Sequence, residues 1–203
     1  MAAFLNATTL VLVLLNPFLV VVYLFDMLEK LDPSTFRRVL LRASIISLSV
    51  FWTFALVGDA CFTDVAHAEF ASFQIFGGVV FLLIGLQFVF RGTSSIEILR
   101  GESRHLAGAV AMPVLIGPGT ISASVIAGKQ LEPVAACAAI LVAVVLSVGI
   151  IFFLKNVHDR VRPRNEKLVE RYIEVAGRIT ALFVGTVSVE MIMQGLLSWS
   201  EKF

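Results

Sequence analysis

Apolar residues fall in six runs along the chain, at about 4–25, 39–58, 70–90, 106–127, 133–154 and 176–197, and charged residues gather between them. A hydrocarbon core roughly 30 Å thick is crossed by about 20 apolar residues in an α-helix, so each run is long enough to span. The pattern predicts an all-α polytopic membrane protein with six transmembrane helices in a single membrane domain, residues 1–203. The first run lacks a basic leader, and Asn16-Pro17 interrupts its apolar core, so it reads as a retained span rather than a cleaved signal. The fourth is odder still. Its segment AMPVLIGPGTISASVIAG, Ala111 to Gly128, holds Pro113, Pro118, Gly117, Gly119 and Gly128, all poor residues for a helix interior.

Composition agrees with the runs. Hydrophobic residues make up 58% of the chain and charged ones only 15%, more apolar surface than a soluble domain of this size needs. Net charge is +1, which says nothing about partners; the lipid bilayer is the partner that the composition demands, and no nucleic-acid partner is expected. The basic residues are placed unevenly. Lys30, Arg37, Arg38 and Arg42 follow run one, and Arg91, Arg100 and Arg104 follow run three. Lys155, Arg160, Arg162, Arg164, Lys167 and Arg171 follow run five, whereas the opposite side has Lys129 and Lys202. The positive-inside rule then puts both termini on the outer face of a plasma membrane, the inner membrane if the cell is bacterial. Cys61 and Cys137 form no redox or metal motif and fall on the same face, which leaves their pairing open. His67, His105 and His158 lie in three connecting segments, so no metal site is expected, and nothing calls for a cofactor.

The two halves echo each other. LLNPFLVVVYL, from Leu14, and LIGPGTISASV, from Leu115, share two apolar residues, a capping residue and a proline at an offset of 101. QIFGGVVFLLIG, from Gln74, matches EVAGRITALFVG, from Glu174, at 100, while RITA from Arg178 matches its start at 104. The register between runs three and six stays open by one helical turn. Repeat one covers about 4–90 and repeat two about 106–197. A unit with three crossings must re-enter the membrane inverted, and inverted repeats are a common plan of secondary transporters.

Pro17 and Pro118 deprive the carbonyls of Val13 and Val114 of their helical partners, and Pro113 does so for Ala109. Such groups are tolerated in lipid only where protein or a wet cavity meets them. Asn16 and Gly117 are capping residues, and proline suits the first helical position after a cap. Gly119 allows close approach to the backbone. Helices 1 and 4 therefore read as broken mid-membrane. Each would offer N–H groups to an anion and carbonyls to a cation, a combination that suits a small zwitterion. The alternative is a pair of kinked structural helices.

The motifs AMPVLIGPGTI, NPF in the first span, QIFGGVVFLLIG in the third and GRI with EMIMQGL in the sixth resemble the MarC family of integral membrane proteins, over nearly the whole chain. The resemblance implies six helices in two inverted triplets and, where activity is assigned, transport of small neutral amino acids. It maps the substrate-binding region to Asn16, Pro17, Gly117, Pro118, Gly119 and Thr120. Phe18, Leu19 and Gln74 depart from the family pattern, while Arg178 keeps its charge in the second half.

The remaining spans read as scaffold. Ala135, Ala139, Ala143 and Ser147 form a small-residue seam, and Gly78 and Gly85 allow close packing in run three. Thr186, Glu190 and Gln194 share one face of run six, which should turn toward the bundle or a cavity as a polar lining. Glu190 there is a candidate proton carrier, or else a plain structural hydrogen bond. The expected function is a secondary transporter or exporter of small solutes, coupled to H+ or Na+, with a homo-oligomer as one option. The alternative is a channel or a non-transporting scaffold. No HExxH, GxSxG or paired intramembrane aspartate is found, so no enzyme is expected.

Overall fold

The computed structural model describes residues 1–17, 20, 32–58, 60, 62, 69–91, 115–161 and 166–200. These form six helices: α1 Ala2–Leu15, α2 Pro33–Val57, α3 Phe70–Arg91, α4 Pro118–Gln130, α5 Pro133–Val161 and α6 Glu166–Ser200. No strand occurs among the described residues. Four of the helices contain stretches long and apolar enough to cross a membrane, at Pro33–Val57, Phe70–Gln87, Pro133–Val157 and Ala181–Ser200, and α1 is a shorter apolar helix. Large apolar side chains such as Leu41, Ile45, Leu56, Leu141, Val145 and Phe153 stand exposed on the outside. In water these would be a liability; against lipid they are the expected coat.

The helices overrun the apolar runs. α5 continues to Val161 and α6 begins at Glu166, so Lys155, Arg160, Lys167 and Arg171 are helical, not loop residues, and His158 is helical too. Charged residues are good helix formers, so hydropathy marks where lipid ends and not where the helix does. Arg162, Arg164, His67, His105, Cys61 and Pro113 lie outside the described residues. Lys155 itself is 4% exposed: its stem is buried, its ammonium lies 5.2 Å from the centre of the Phe36 ring, and Asp159 pairs with it at 3.1 Å.

α2 and α5 are built alike. Each starts with an acidic residue followed by proline, Asp32-Pro33 and Glu132-Pro133. The carbonyl of Asp32 accepts from Phe36 N–H at 3.0 Å and that of Glu132 from Ala136 N–H at 2.9 Å. The Asp32 carboxylate also accepts from the backbone of Ser34 and Thr35 at 3.1 and 3.0 Å and from the Ser34 hydroxyl. These donors, the Ser34 hydroxyl foremost, hold its carboxyl well below the usual carboxylate range. From Leu40 to Val57 and from Ile140 to Val157, the succession of buried, half-buried and exposed positions is the same residue for residue. Ala139, Ala143 and Ser147 are buried as the seam requires, but Ala136, rather than the half-buried Ala135, heads it. On α2 the matching seam is Ala43, Ser47 and Ala55.

Two packing groups result. α1, α2, α4 and α5 pack mainly on one another, and α3 packs mainly on α6. In the first group α1 meets α5 as α4 meets α2, while the pairs α1–α4 and α2–α5 close the set. The indole of Trp52 donates to the Cys137 carbonyl at 3.1 Å, tying α2 to α5. A methyl group added at Gly128 would stand 1.9 Å from the Ala55 carbonyl oxygen, so α4 touches α2 backbone to backbone. The α3–α6 seam is as tight: added methyls at Gly78, Gly85 and Gly195 would lie 2.7, 3.3 and 2.8 Å from the carbonyls of Ser188, Ala181 and Ala71. Partners run backwards in number as α3 runs forwards, so the two helices are antiparallel. Gly78 and Gly85 thus do the packing work expected of them.

Candidate functional site

Helix α1 stops at Leu15 because Asn16 turns left-handed, with φ 41° and ψ 74°. Asparagine is among the few non-glycine residues that adopt this conformation readily, and it ends helices this way. The Asn16 N–H still closes onto the Leu12 carbonyl at 3.2 Å, and its own carbonyl accepts from Val20 N–H at 3.1 Å. One residue thus ends α1 and opens the next helical turn, in which Pro17 is buried and helical. The expectation that Asn16 acts as an N-cap is half the story, since its backbone closes the preceding helix as well.

The start of α4 has the same hydrogen-bond frame. Gly117 is extended, Pro118 takes the first helical position of α4, and Gly117 O accepts from Ile121 N–H at 3.0 Å. Positions 16 and 20 correspond to 117 and 121 at the offset of 101. Thr120 is 2% exposed and pins this turn. Its hydroxyl oxygen accepts from Gly117 N–H at 3.0 Å, and its proton can go to the carbonyl of Leu115 at 3.0 Å or of Gly117 at 2.9 Å. Much of the Thr120 side chain's hydrogen-bonding capacity is therefore spent on its own loop. No backbone hydrogen bond among the described residues takes the N–H of Gly119 or Thr120.

The Asn16 turn comes close to the start of α4 in the core. Leu14, two residues before Asn16, lies 3.6 Å from where a Gly119 Cβ would be. Leu15, Leu115, Ile116 and Ala123 share one buried cluster. From the other packing group, Gly77 receives the Pro118 ring, 2.0 Å from its notional Cβ, and the Met191 sulfur comes to 3.7 Å from that of Gly119. Phe81 lies across both Gly117 and Gly119. One turn further along α4, the buried Ser122 hydroxyl has no hydrogen-bond partner, whereas Ser124 bonds back to the Thr120 carbonyl at 2.7 Å. Sequence pattern did not single out Leu14, Phe81, Ser122 or Met191. Periodicity marks them only as buried or half-buried residues, and their meeting depends on how α3 and α6 dock.

The polar face of α6 lies elsewhere. Thr186, Glu190 and Gln194 share one side as their spacing requires, but that side is exposed and does not face the bundle. Gln194 donates to the Glu190 carboxylate at 2.9 Å, and the Thr186 hydroxyl returns to the Leu182 carbonyl at 3.0 Å.

Comparison with known proteins extends over the whole molecule. The sequence model of a family described as MarC family integral membrane protein matches residues 1–200. A UPF0056 membrane protein of Methanocaldococcus jannaschii is 26% identical over 200 residues, covering 95% of both chains. Another from Aquifex aeolicus is 24% identical, covering 95% of this chain and 92% of its own. A third, from Pyrococcus horikoshii, is 22% identical, with 94% and 92% covered. No solved structure matches the chain.

Proposed function

Since the chain belongs to the MarC family of integral membrane proteins, we propose that it is a secondary transporter or exporter of small solutes, with small neutral amino acids as the solute class. The fold reading beneath this is six spans in two inverted triplets, with helices 1 and 4 broken mid-membrane. Three features support that reading: the matching burial of α2 and α5, the exchange of α1–α5 for α4–α2 packing, and the shared hydrogen-bond frame at Asn16 and Gly117. The observation that carries the function is the approach of Leu14 to Gly119 at the start of α4, where the N–H groups of Gly119 and Thr120 have no backbone acceptor and the buried Ser122 hydroxyl has no partner among the described residues. Such groups suit the carboxylate and ammonium of a zwitterion. Asn16, Pro17, Gly117, Pro118, Gly119 and Thr120 form the binding region, and Thr120 serves it mainly by holding the loop.

Alternating access would move the α3–α6 pair against the other four helices, because the site lies where the two packing groups touch. Packed side chains over the interruption favour a carrier over an open channel, and no enzymatic step is proposed. The exposed Glu190–Gln194 pair favours a structural role for Glu190 over proton coupling, leaving H+ or Na+ as the driving ion. The membrane is the plasma membrane, with both termini outside.

Proteoliposomes preloaded with glycine or alanine test the proposal through counterflow. Saturable exchange is expected, and Gly119→Leu should abolish it while Gly119→Ala, whose methyl meets Phe81 at a tight 3.3 Å and asks the ring to give only slightly, weakens it. Normal exchange by Gly119→Leu would place the site elsewhere. In the same assay Glu190→Gln should leave gradient-driven accumulation intact; loss of accumulation with exchange retained would restore coupling to Glu190.

A further inference from the structure

A single aromatic ring covers the start of α4. Phe81, on α3, presents Cζ and Cε1 at 2.7 and 3.0 Å from the position of a Gly117 Cβ, and Cε2 at 3.3 Å from that of a Gly119 Cβ. The tip of one ring thus lies against both glycines that flank Pro118. Any side chain at Gly117 would collide with it, which explains why glycine stands there although its φ of −118° is open to every residue. Met191 and Leu14 stand nearby, 3.7 and 3.6 Å from the position of a Gly119 Cβ. With the ring in place, no solute can lie on the side of Gly117 and Gly119 that the ring faces.

We propose that Phe81 sets the size limit of the transported solute. The proposal rests on the reading of the start of α4 as the binding site. A solute reaches the Gly119 and Thr120 N–H groups only when the ring withdraws, and the withdrawn ring then walls the space that the solute occupies. That volume admits a small zwitterion with its carboxylate on the N–H groups and excludes one with a large branched side chain. The device belongs to one half of the molecule. At offsets of 100 and 104, the counterparts of Phe81 in α6 are Ala181 and Gly185, neither of which carries a ring. Phe81 is also well placed to move, because it stands on the α3–α6 pair while the glycines belong to the other packing group.

Two measurements test this, one without any flux. In a chain with Cys61 and Cys137 replaced by serine, Gly119→Cys should react slowly with a membrane-permeant thiol reagent, and adding Phe81→Ala should speed the reaction several-fold. Equal rates would overturn the proposal. In proteoliposomes, Phe81→Ala should raise the ratio of leucine to alanine exchange, measured as kcat/KM, by roughly 10-fold or more, the scale on which apolar pockets sort side-chain size. Phe81→Trp should depress both. Should Phe81→Ala fail to fold, Phe81→Leu keeps bulk and should give a smaller shift in the same direction. An unchanged ratio, with Gly119→Leu still abolishing exchange, would overturn the role of Phe81 and leave the site standing. If Gly119→Leu exchanges normally, the site reading falls and this proposal falls with it.

Discussion

Asn16 bends the chain at a place where alanine would not. Its φ of 41° costs an ordinary L-residue roughly 1–2 kcal/mol, and asparagine less. Two substitutions separate its backbone role from any contact with solute. Asn16→Gly adopts the conformation freely and should keep the melting temperature near that of the parent. Asn16→Ala should lose about 1 kcal/mol of stability. If the Asn16 amide also touches the solute, Asn16→Gly will be folded yet impaired in exchange; a variant that is both stable and fully active would confine Asn16 to shaping the turn. Thr120 works in the same way on the other side, since its hydroxyl bridges Gly117 and Leu115. At this scale proline and its neighbour were legible in sequence, because each removes or supplies a backbone donor in a predictable manner. The left-handed turn at Asn16 was not, because asparagine serves both ends of a helix.

Between elements, small residues decide how near two backbones come. α4 reaches the end of α2 through Gly128, whose notional Cβ lies 1.9 Å from a carbonyl oxygen and 2.8 Å from its carbon. Backbone cannot step aside as a side-chain tip can. Gly128→Ala should therefore destabilise the protein by roughly 1–3 kcal/mol, the usual cost of overpacking, measured by thermal unfolding in detergent. An unchanged midpoint would mean that α2 and α4 can part cheaply. The seam on α5 was readable from its spacing of four at Ala139, Ala143 and Ser147, though not at Ala135. Its twin on α2 escaped notice because Phe51 breaks the spacing of four between Ser47 and Ala55, and only burial lines up Ala43, Ser47 and Phe51 with Ala143, Ser147 and Ile151.

For the whole molecule, the asymmetry of Lys and Arg makes the prediction. Single cysteines at Ala3 and Lys202, with Cys61 and Cys137 replaced by serine, should react with an impermeant maleimide in intact cells. Reaction of either site only after permeabilisation would reverse or break the topology. The division into an α3–α6 pair and a four-helix group sets what such a molecule can do, since motion is easiest where packing is thinnest and the candidate site lies on that boundary.

Several properties needed no tertiary structure. Long apolar runs determine membrane residence, because lipid leaves no other home for them. Two prolines set after capping residues determine where backbone donors go missing. Other properties exist only once the helices dock. The sequence alone placed Thr186, Glu190 and Gln194 on one face, yet which way that face turns is decided by the α3 contact that takes the other side of α6. Phe81, Met191 and Leu14 come from three helices and converge on Gly119. No local pattern encodes that meeting, because hydrophobic periodicity reports that a side chain is buried and not what it is buried against.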